Sequence, residues 1–269
     1  MIALGLALIR GILKVLNLAH GEFIMLGMYA TYFLYTLGID PFFSLPFSII
    51  FLFIIGALVY KSLITPSKTP ENQILVTFGL MFILQNLVLM VCSPDYRSIT
   101  LTYGTWSITL FNIINASFLR LVILFSSLAS TVFFHLFFKY TKIGKGLHAL
   151  SQNPEAASLV GINVTRYQWI AFAIGSAVAG LAGTFLSTVY YIYPTVGQPF
   201  TVTALMIVIL GGMGNFLGTF LGGILIGIAE SLGSLFIATE CKEIIAFIIF
   251  IVILIFRPQG IFGRSVEKY

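Results

Sequence analysis

A polar stretch, GKGLHALSQNPEAASLVG, occupies residues 144–161 of a chain that otherwise consists largely of apolar blocks. Asn153 followed by Pro154 is typical of a helix start, because asparagine caps the first turn and proline fits the first helical position. Glu155 then falls in the first turn, where a carboxylate suits the positive end of the helix dipole. Gly161 is expected to end this short helix, and a second short helix is expected just before it. The segment therefore predicts a polar surface offered to a partner in water, or, as the simpler alternative, an ordinary connecting loop.

Two other stretches interrupt apolar sequence with polar or flexible residues, NLAHGE at 17–22 and GGMGN at 211–215. Backbone that leaves a helix inside a membrane must be buried in protein or line a cavity, because lipid cannot satisfy its hydrogen bonds. Broken helices in both halves of a transporter point to a path at the membrane midplane. The alternatives are a solvated turn at the first stretch and a tight turn between short helices at the second. The residues expected to line a translocation path are Asn17, His20, Gly211, Gly212 and Gly214.

The elements that must position these residues are membrane helices. The chain has 269 residues, of which 59% are hydrophobic and only 9% are charged, whereas soluble domains carry roughly 25% charged residues. Apolar runs such as 51–59 and 244–256 do not alternate with period two, which excludes a β-barrel. We therefore predict an all-α, polytopic integral membrane protein with about eight transmembrane helices, one or two of them broken or half-length.

The distribution of lysine and arginine predicts the orientation. Basic residues concentrate at 61–70, at 140–166 and in the C-terminal tail, and threading the apolar blocks in alternation puts all three on one side. By the positive-inside rule that side is cytoplasmic. We expect one membrane domain, 1–269, with its polar cytoplasmic segment at 140–166.

Small residues recur at a spacing of about four in two of the apolar blocks, around Gly175, Ala179 and Gly183 and again at Gly218 and Gly222. Such spacing predicts tight helix packing within or between subunits.

Other classes of protein fit the residues less well. The central spans hold almost no ionisable residues, which counts against an ion-coupled secondary transporter. His20, His135 and His148 are isolated from one another, so neither a membrane-embedded enzyme nor a metal site is expected. No GxxxxGK[ST] phosphate loop is present, so ATP hydrolysis would need another subunit. Two cysteines, at 92 and 241, carry no ligand spacing, and two unpaired thiols are favoured over a disulfide.

Four stretches taken in order resemble the branched-chain amino acid permeases of the LivH/LivM type, and the HGE of the first favours the LivH side. Together they cover most of the chain. Two departures matter: the family's first helix normally has further residues before it, and the family's EAA motif is degenerate compared with that of other importers. The stretches are NLAHGEFIMLGMY (17–29), residues 144–183, ILGGMGNFLGTFLGGILIGIAE (209–230) and RPQGIFG (257–263).

This resemblance implies a function for the polar segment. Glu155, Ala156 and Ala157, followed by Gly161, resemble the EAA motif with which ABC importer permeases insert into a cleft of the ATPase subunit. It implies a second, LivM-like permease subunit, two cytosolic ATP-binding subunits and a soluble substrate-binding protein, all at a bacterial inner membrane. The chain itself would bind no cofactor and hydrolyse no ATP. The expected substrates are branched-chain or related apolar amino acids, with urea or short amides, or an ATPase-independent secondary transporter, as alternatives.

Overall fold

The computed structural model describes residues 1–67, 69–110, 114–212, 214–236, 242–257 and 260–261. Within them, α-helices dominate and the only strands form one short hairpin. The helices in chain order are α1 (Ile2–Leu13), α2 (His20–Thr36), α3 (Leu45–Val59), α4 (Pro70–Cys92), α5 (Phe118–Tyr140), α6 (Lys142–Gln152), α7 (Pro154–Leu159), α8 (Val164–Ser187), α9 (Gly197–Gly211), α10 (Phe216–Phe236) and α11 (Lys242–Phe256).

Five of the described helices are long and apolar enough to cross a membrane: α3 with the π-helical turn that extends it to Ile64, α4, α5, α8 and α10. The apolar helices α1, α9 and α11 are shorter, and α2 has 17 residues. The prediction of an all-α polytopic membrane protein is confirmed. The expected set of about eight spans thus corresponds, in the part of the chain that the structure describes, to five full-length helices and four shorter ones.

The central helix is α8. Of its apolar window 78% is buried inside the protein, against 17–39% for the other four long helices. Its glycines allow α1 and α2 to approach closely: a Cβ on Gly175 would lie 2.5 Å from Cγ1 of Ile9, and one on Gly183 would lie 2.8 Å from the backbone nitrogen of Met28. The small-residue face predicted from the sequence therefore packs helices within the subunit, as expected.

The helix α1 is enclosed on every side. All seven residues from Ala3 to Ile9 are buried, and they contribute to three separate hydrophobic clusters. Ile9 packs with α2 and α8, Leu6 packs with α9, α10 and α11, and Leu8 packs with α5, α6 and α8. The position of α1 is therefore set mainly by its protein neighbours.

One end of the bundle, here called the basic end, carries α6 and α7. The end of α3 lies there too, since Trp169 of α8 donates to the carbonyl oxygen of Ala57 at 3.1 Å. The last described residues also reach this end, where the backbone N–H of Ile261 donates to the carbonyl oxygen of Leu210 at 2.8 Å. The described parts of the three basic stretches thus share one end of the bundle.

The opposite end, here called the hairpin end, holds β1 (Ser107–Leu110) and β2 (Ile114–Ser117), which pair antiparallel with Ser107 opposite Ser117. Tyr103 ties the loop to the α2–α3 connection by donating to Oδ2 of Asp40 at 2.6 Å. Burial, together with this bond to Asp40, raises the pKa of Tyr103, so the hydroxyl remains a donor at neutral pH.

Only one of the two cysteines lies within the described residues. Cys92, the last residue of α4, is a free and buried thiol. Cys241 lies outside the described residues.

The packing of α8 generates a stability prediction. Gly183→Ala should destabilise the folded protein by about 1–3 kcal/mol, because the added methyl group meets the backbone of α2, which cannot shift without moving the whole helix. Thermal unfolding of the purified protein in detergent measures this.

The matched control is Gly79→Ala in α4, where nothing lies within 4 Å of the added Cβ. This change should be neutral or slightly stabilising, since alanine is the better helix former. Equal unfolding temperatures for the two variants would contradict the close contact between α2 and α8.

Candidate functional site

A non-helical segment, residues 14–19, separates α1 from α2 and runs back along α1. Lys14 ends α1 in the left-handed conformation with φ of 58°. The ring Nε2 of His20 donates to the carbonyl oxygen of Ile2 at 2.9 Å, so α2 begins beside the start of α1. Since His20 is fully buried, α2 begins inside the bundle.

Side chains from the segment itself and from a distant helix replace the helical hydrogen bonds that the segment lacks. The backbone N–H of Leu18 donates to Oγ1 of Thr77 in α4 at 3.3 Å, and the same hydroxyl lies 3.3 Å from the carbonyl oxygen of Leu16. Within the segment, Oδ1 of Asn17 accepts from the N–H of Ala19 at 3.1 Å. The interruption is therefore a built feature in which side chains pair several of the backbone groups.

The start of α9 meets the start of α2 at the same place. The N–H of Gly21 donates to Oγ1 of Thr201 at 2.9 Å. The carboxyl group of Glu22 lies so close to Gly197 that a Cβ on that glycine would be 2.7 Å from its atoms. Helix N-termini carry a partial positive charge, so two such ends and one carboxyl group meet inside the bundle.

Two glutamines connect this meeting point to the surface. Nε2 of Gln85 in α4 donates to Oε1 of Glu22 at 2.8 Å, and Nε2 of Gln198 in α9 donates to Oε1 of Gln85 at 3.4 Å. Solvent exposure falls along this series of hydrogen-bonded side chains: Gln198 is exposed, Gln85 is 7% exposed and Glu22 is 0% exposed. The six polar residues that meet here are called the polar junction; they are Asn17, His20, Glu22, Gln85, Gln198 and Thr201.

The polar junction contains most of the unpaired buried polar atoms that the structure describes. Among the described residues, four buried side-chain atoms have no hydrogen-bond partner, and three belong to the junction. Buried polar groups are paired in the great majority of cases, so this concentration marks a site that is not complete by itself. The part of the chain that the structure describes contains no group of three or more His, Cys, Asp or Glu that could hold a metal ion. The four atoms are Asn17 Nδ2, His20 Nδ1, Glu22 Oε2 and Tyr29 OH.

The structure thus brings Asn17 and His20 together in the bundle interior. The alternative of a solvated turn at 17–22 is wrong, because Asn17 is only 1% exposed and both His20 and Glu22 are fully buried. Sequence reasoning missed Gln85 and Gln198 as partners of Glu22. Each is a polar residue near or within an apolar helix, and that was the available signal.

The glycine stretch at 211–215 lies elsewhere, at the basic end. Gly212 and Gly214 have φ of 83° and 80°, and a Cβ on Gly211 would lie 2.6 Å from the carbonyl oxygen of Gly218. This is the tight turn between α9 and α10 that was the alternative interpretation. Ten residues of α9 separate Gly211 from Thr201 of the polar junction, about 15 Å along a helix axis. The interruption that meets residues 17–22 is instead the one before α9.

The local sequence of α7 gives the helix start predicted for it. Oδ1 of Asn153 accepts from the N–H groups of Glu155 and Ala156 at 2.9 and 3.1 Å, and Pro154 occupies the first turn. The helix ends at Leu159, two residues before Gly161. The helix expected before it, Lys145–Leu150, is present and longer, because Thr141 caps it by accepting from the N–H of Gly144 at 2.9 Å.

The predicted contact residues of this segment differ in exposure, and one of them is buried. Glu155, Ala156 and Gly161 are exposed, whereas Ala157 is 3% exposed and packs into the cluster that includes α1 and α6. Gly161 adopts φ of 84° with open space around it, so its backbone conformation, which side chains disfavour, is what requires glycine.

Two large apolar residues at the tip of α7 are also exposed, Leu159 at 88% and Val160 at 76%. Sequence reasoning passed over them, because apolar residues at the end of a short helix look like part of its buried face. They lie at the basic end, on the α6–α7 segment.

The chain matches known permeases along its whole length. The family model described as "Branched-chain amino acid transport system / permease component" matches residues 1–254. The high-affinity branched-chain amino acid transport system permease protein LivH of Escherichia coli (strain K12) is 31% identical over 288 aligned positions, which cover 100% of this chain and 92% of LivH.

Two further relatives support the same assignment. BraD of Pseudomonas aeruginosa, also named as a high-affinity branched-chain amino acid permease protein, is 30% identical with the same coverage. A protein of Methanocaldococcus jannaschii named as a probable LivH is 27% identical, over 100% of this chain and 89% of that protein. No solved structure matches the chain. An all-α membrane bundle with discontinuous helices, matched over this length by these relatives, belongs to the family of branched-chain amino acid transport permease components.

Proposed function

We propose that this chain is the membrane-spanning permease subunit of an ABC importer that moves branched-chain or related apolar amino acids into the cytoplasm. The observation that carries the proposal is the full-length match to the LivH and BraD permeases. The structure supports it with a polar junction enclosed by an apolar bundle, where two discontinuous helices begin. Such helix starts inside a membrane are typical of transport paths.

The basic end is the cytoplasmic end in this proposal. Lys139, Lys142, Lys145 and Arg166 flank or lie in the α6–α7 segment, and the end of α3 and residues 260–261 lie at the same end of the bundle. The positive-inside rule then places residues 61–70, 140–166 and the C-terminus in the cytoplasm. The protein would be a multi-pass protein of the bacterial inner membrane.

The α6–α7 segment is the contact for an ATP-hydrolysing partner. Glu155, Ala156 and Gly161 form its exposed surface, Ala157 anchors it to the bundle, and the side chains of Leu159 and Val160 supply the apolar tip that a cleft in the partner would bury. The chain has no phosphate-binding loop of its own, so ATP is used by two partner subunits. A second permease subunit and a soluble binding protein complete the transporter, and this chain binds no cofactor.

The translocation path passes through the polar junction. Asn17 and His20 line it at the start of α2, and the glycine turn that contains Gly211, Gly212 and Gly214 lies at its cytoplasmic end. A path bounded mainly by apolar helices suits substrates with apolar side chains.

The α7 tip generates a prediction about coupling. Leu159→Glu should weaken ATPase association about tenfold or more, because it places a charge where an apolar anchor is buried in the complex. Co-purification of the ATPase subunits with the permease measures association, and uptake by the complex should fall with it.

Gln152→Glu is the matched control, since it adds the same charge at an exposed position of the same segment. It should leave association unchanged. An assembled Leu159→Glu complex with normal ATPase affinity would contradict the proposed contact.

The function itself is tested by reconstituting the permease with its cognate ATPases and binding protein in liposomes. We expect uptake of labelled leucine that requires ATP. Uptake of urea without leucine would indicate the short-amide alternative. Uptake of leucine that persists without ATP or the ATPase subunits would indicate a secondary transporter and would overturn the ABC assignment.

A further inference from the structure

Glu22 has one acceptor atom that no described residue fills. Its Oε1 accepts from Gln85 at 2.8 Å, while its Oε2 is buried without a hydrogen-bond partner. Leaving a buried acceptor unpaired is costly, and for a carboxylate it is more costly than for a neutral group. The geometry therefore calls for a donor that comes from outside the chain.

The surroundings of Glu22 favour a cationic donor over an anionic group. The two helix N-termini at α2 and α9 attract negative charge, but the carboxyl group of Glu22 already occupies that position. A second carboxylate would meet a like charge at short range, which is unfavourable in a low-dielectric interior. A positively charged ammonium group would find Oε2 unpaired.

A polar route leads to this oxygen from the surface. Gln198 is exposed and donates to Gln85, which in turn donates to Glu22. Side-chain amides both donate and accept, so each glutamine offers a carbonyl oxygen to an ammonium group once its present bond is exchanged. The route is closed at its inner end in this structure, because the carboxyl group of Glu22 packs against Gly197.

We propose that Glu22, reached through Gln198 and Gln85, is the point in the translocation path that receives the ammonium group of the transported amino acid. The proposal rests on the proposed function, since it takes an amino acid as the permeant. Opening of the contact between the starts of α2 and α9 then frees Oε2 and Gly197 together. The apolar side chain of the substrate remains among the apolar residues of the surrounding helices.

The test uses the complete transporter, with its ATPases and binding protein, in liposomes. Glu22→Gln keeps the shape of the side chain and removes its charge. We expect leucine uptake to fall about tenfold or more, the scale of a lost hydrogen bond to a charged group. Assembly of the complex and its ATP hydrolysis without substrate should stay at the wild-type level.

Thr31→Val is the matched control on the same helix. The Thr31 hydroxyl is fully buried and bonds to Thr184 at 2.9 Å, but it lies outside the polar junction. Its loss should leave uptake nearly unchanged. Wild-type uptake in an assembled Glu22→Gln transporter would overturn the proposal.

A double variant, Glu22→Gln with Gln85→Glu, separates ammonium binding from a structural role. It moves the carboxylate across the same hydrogen-bonded pair, from the first turn of α2 to the middle of α4. Partial recovery of uptake is expected if the charge serves the substrate. No recovery, with normal assembly, would indicate that the charge serves only the start of α2, and would overturn the proposal.

If the Glu22→Gln transporter does not assemble, Gln198→Leu tests the proposal instead, because Gln198 is exposed and its position tolerates substitution. Reduced uptake with normal assembly supports the route, and unchanged uptake overturns it. The proposed function fails by a different result, the absence of ATP-dependent leucine uptake by the wild-type transporter. The two failures are therefore distinguishable in one set of preparations.

Discussion

Lipid offers no hydrogen bonds to a polypeptide backbone, and the arrangement of this bundle follows from that constraint. The segment at residues 14–19 leaves the helical conformation inside the protein. Several of its peptide groups are paired by the side chains of Asn17 and Thr77. To bring these partners close, α1 must be enclosed, and the close glycine contacts of α8 allow it. One interruption of the chain therefore determines which helices are central and which face the lipid.

The same interruption links stability to transport. An interior helix start exposes N–H groups and a partial positive charge, and two such starts converge where Glu22 lies. A bundle that needed only stability would have continuous helices and an apolar interior. Here several buried polar atoms remain without partners in the described residues. The basic end shows the reverse mismatch: there, apolar side chains at the α7 tip are exposed. Both features are unfavourable for the subunit alone, and the proposals above give each a partner: the substrate for the unpaired polar atoms and an ATPase subunit for the exposed apolar tip.

Much of the fold and part of the site could be predicted from the sequence. The cap formed by Asn153 and Pro154 and the small-residue face of α8 follow from local residue types, and each is present in the structure. The sequence also predicted an interruption at residues 17–22 but left open whether it is buried or solvated, because its burial depends on helices far along the chain. Gln85 and Gln198 were missed because single amides in apolar sequence show no partner until the fold joins them. The sequence also left two interpretations of the glycine turn at 211–215, because local sequence does not say which end of α9 meets the polar junction.

The enclosure of α1 also has a consequence for how the protein is made. The hydrogen bond from Gly21 to Thr201 joins residues 180 positions apart, and α8, which covers α1 and α2, is also synthesised late. At the translation rate of about 5–20 residues per second, this distance corresponds to about 10–40 s of elongation. Until α8 and the helices after it have been made, α1 and α2 lack the neighbours that enclose them. The beginning of the chain is therefore enclosed only after most of its second half has emerged.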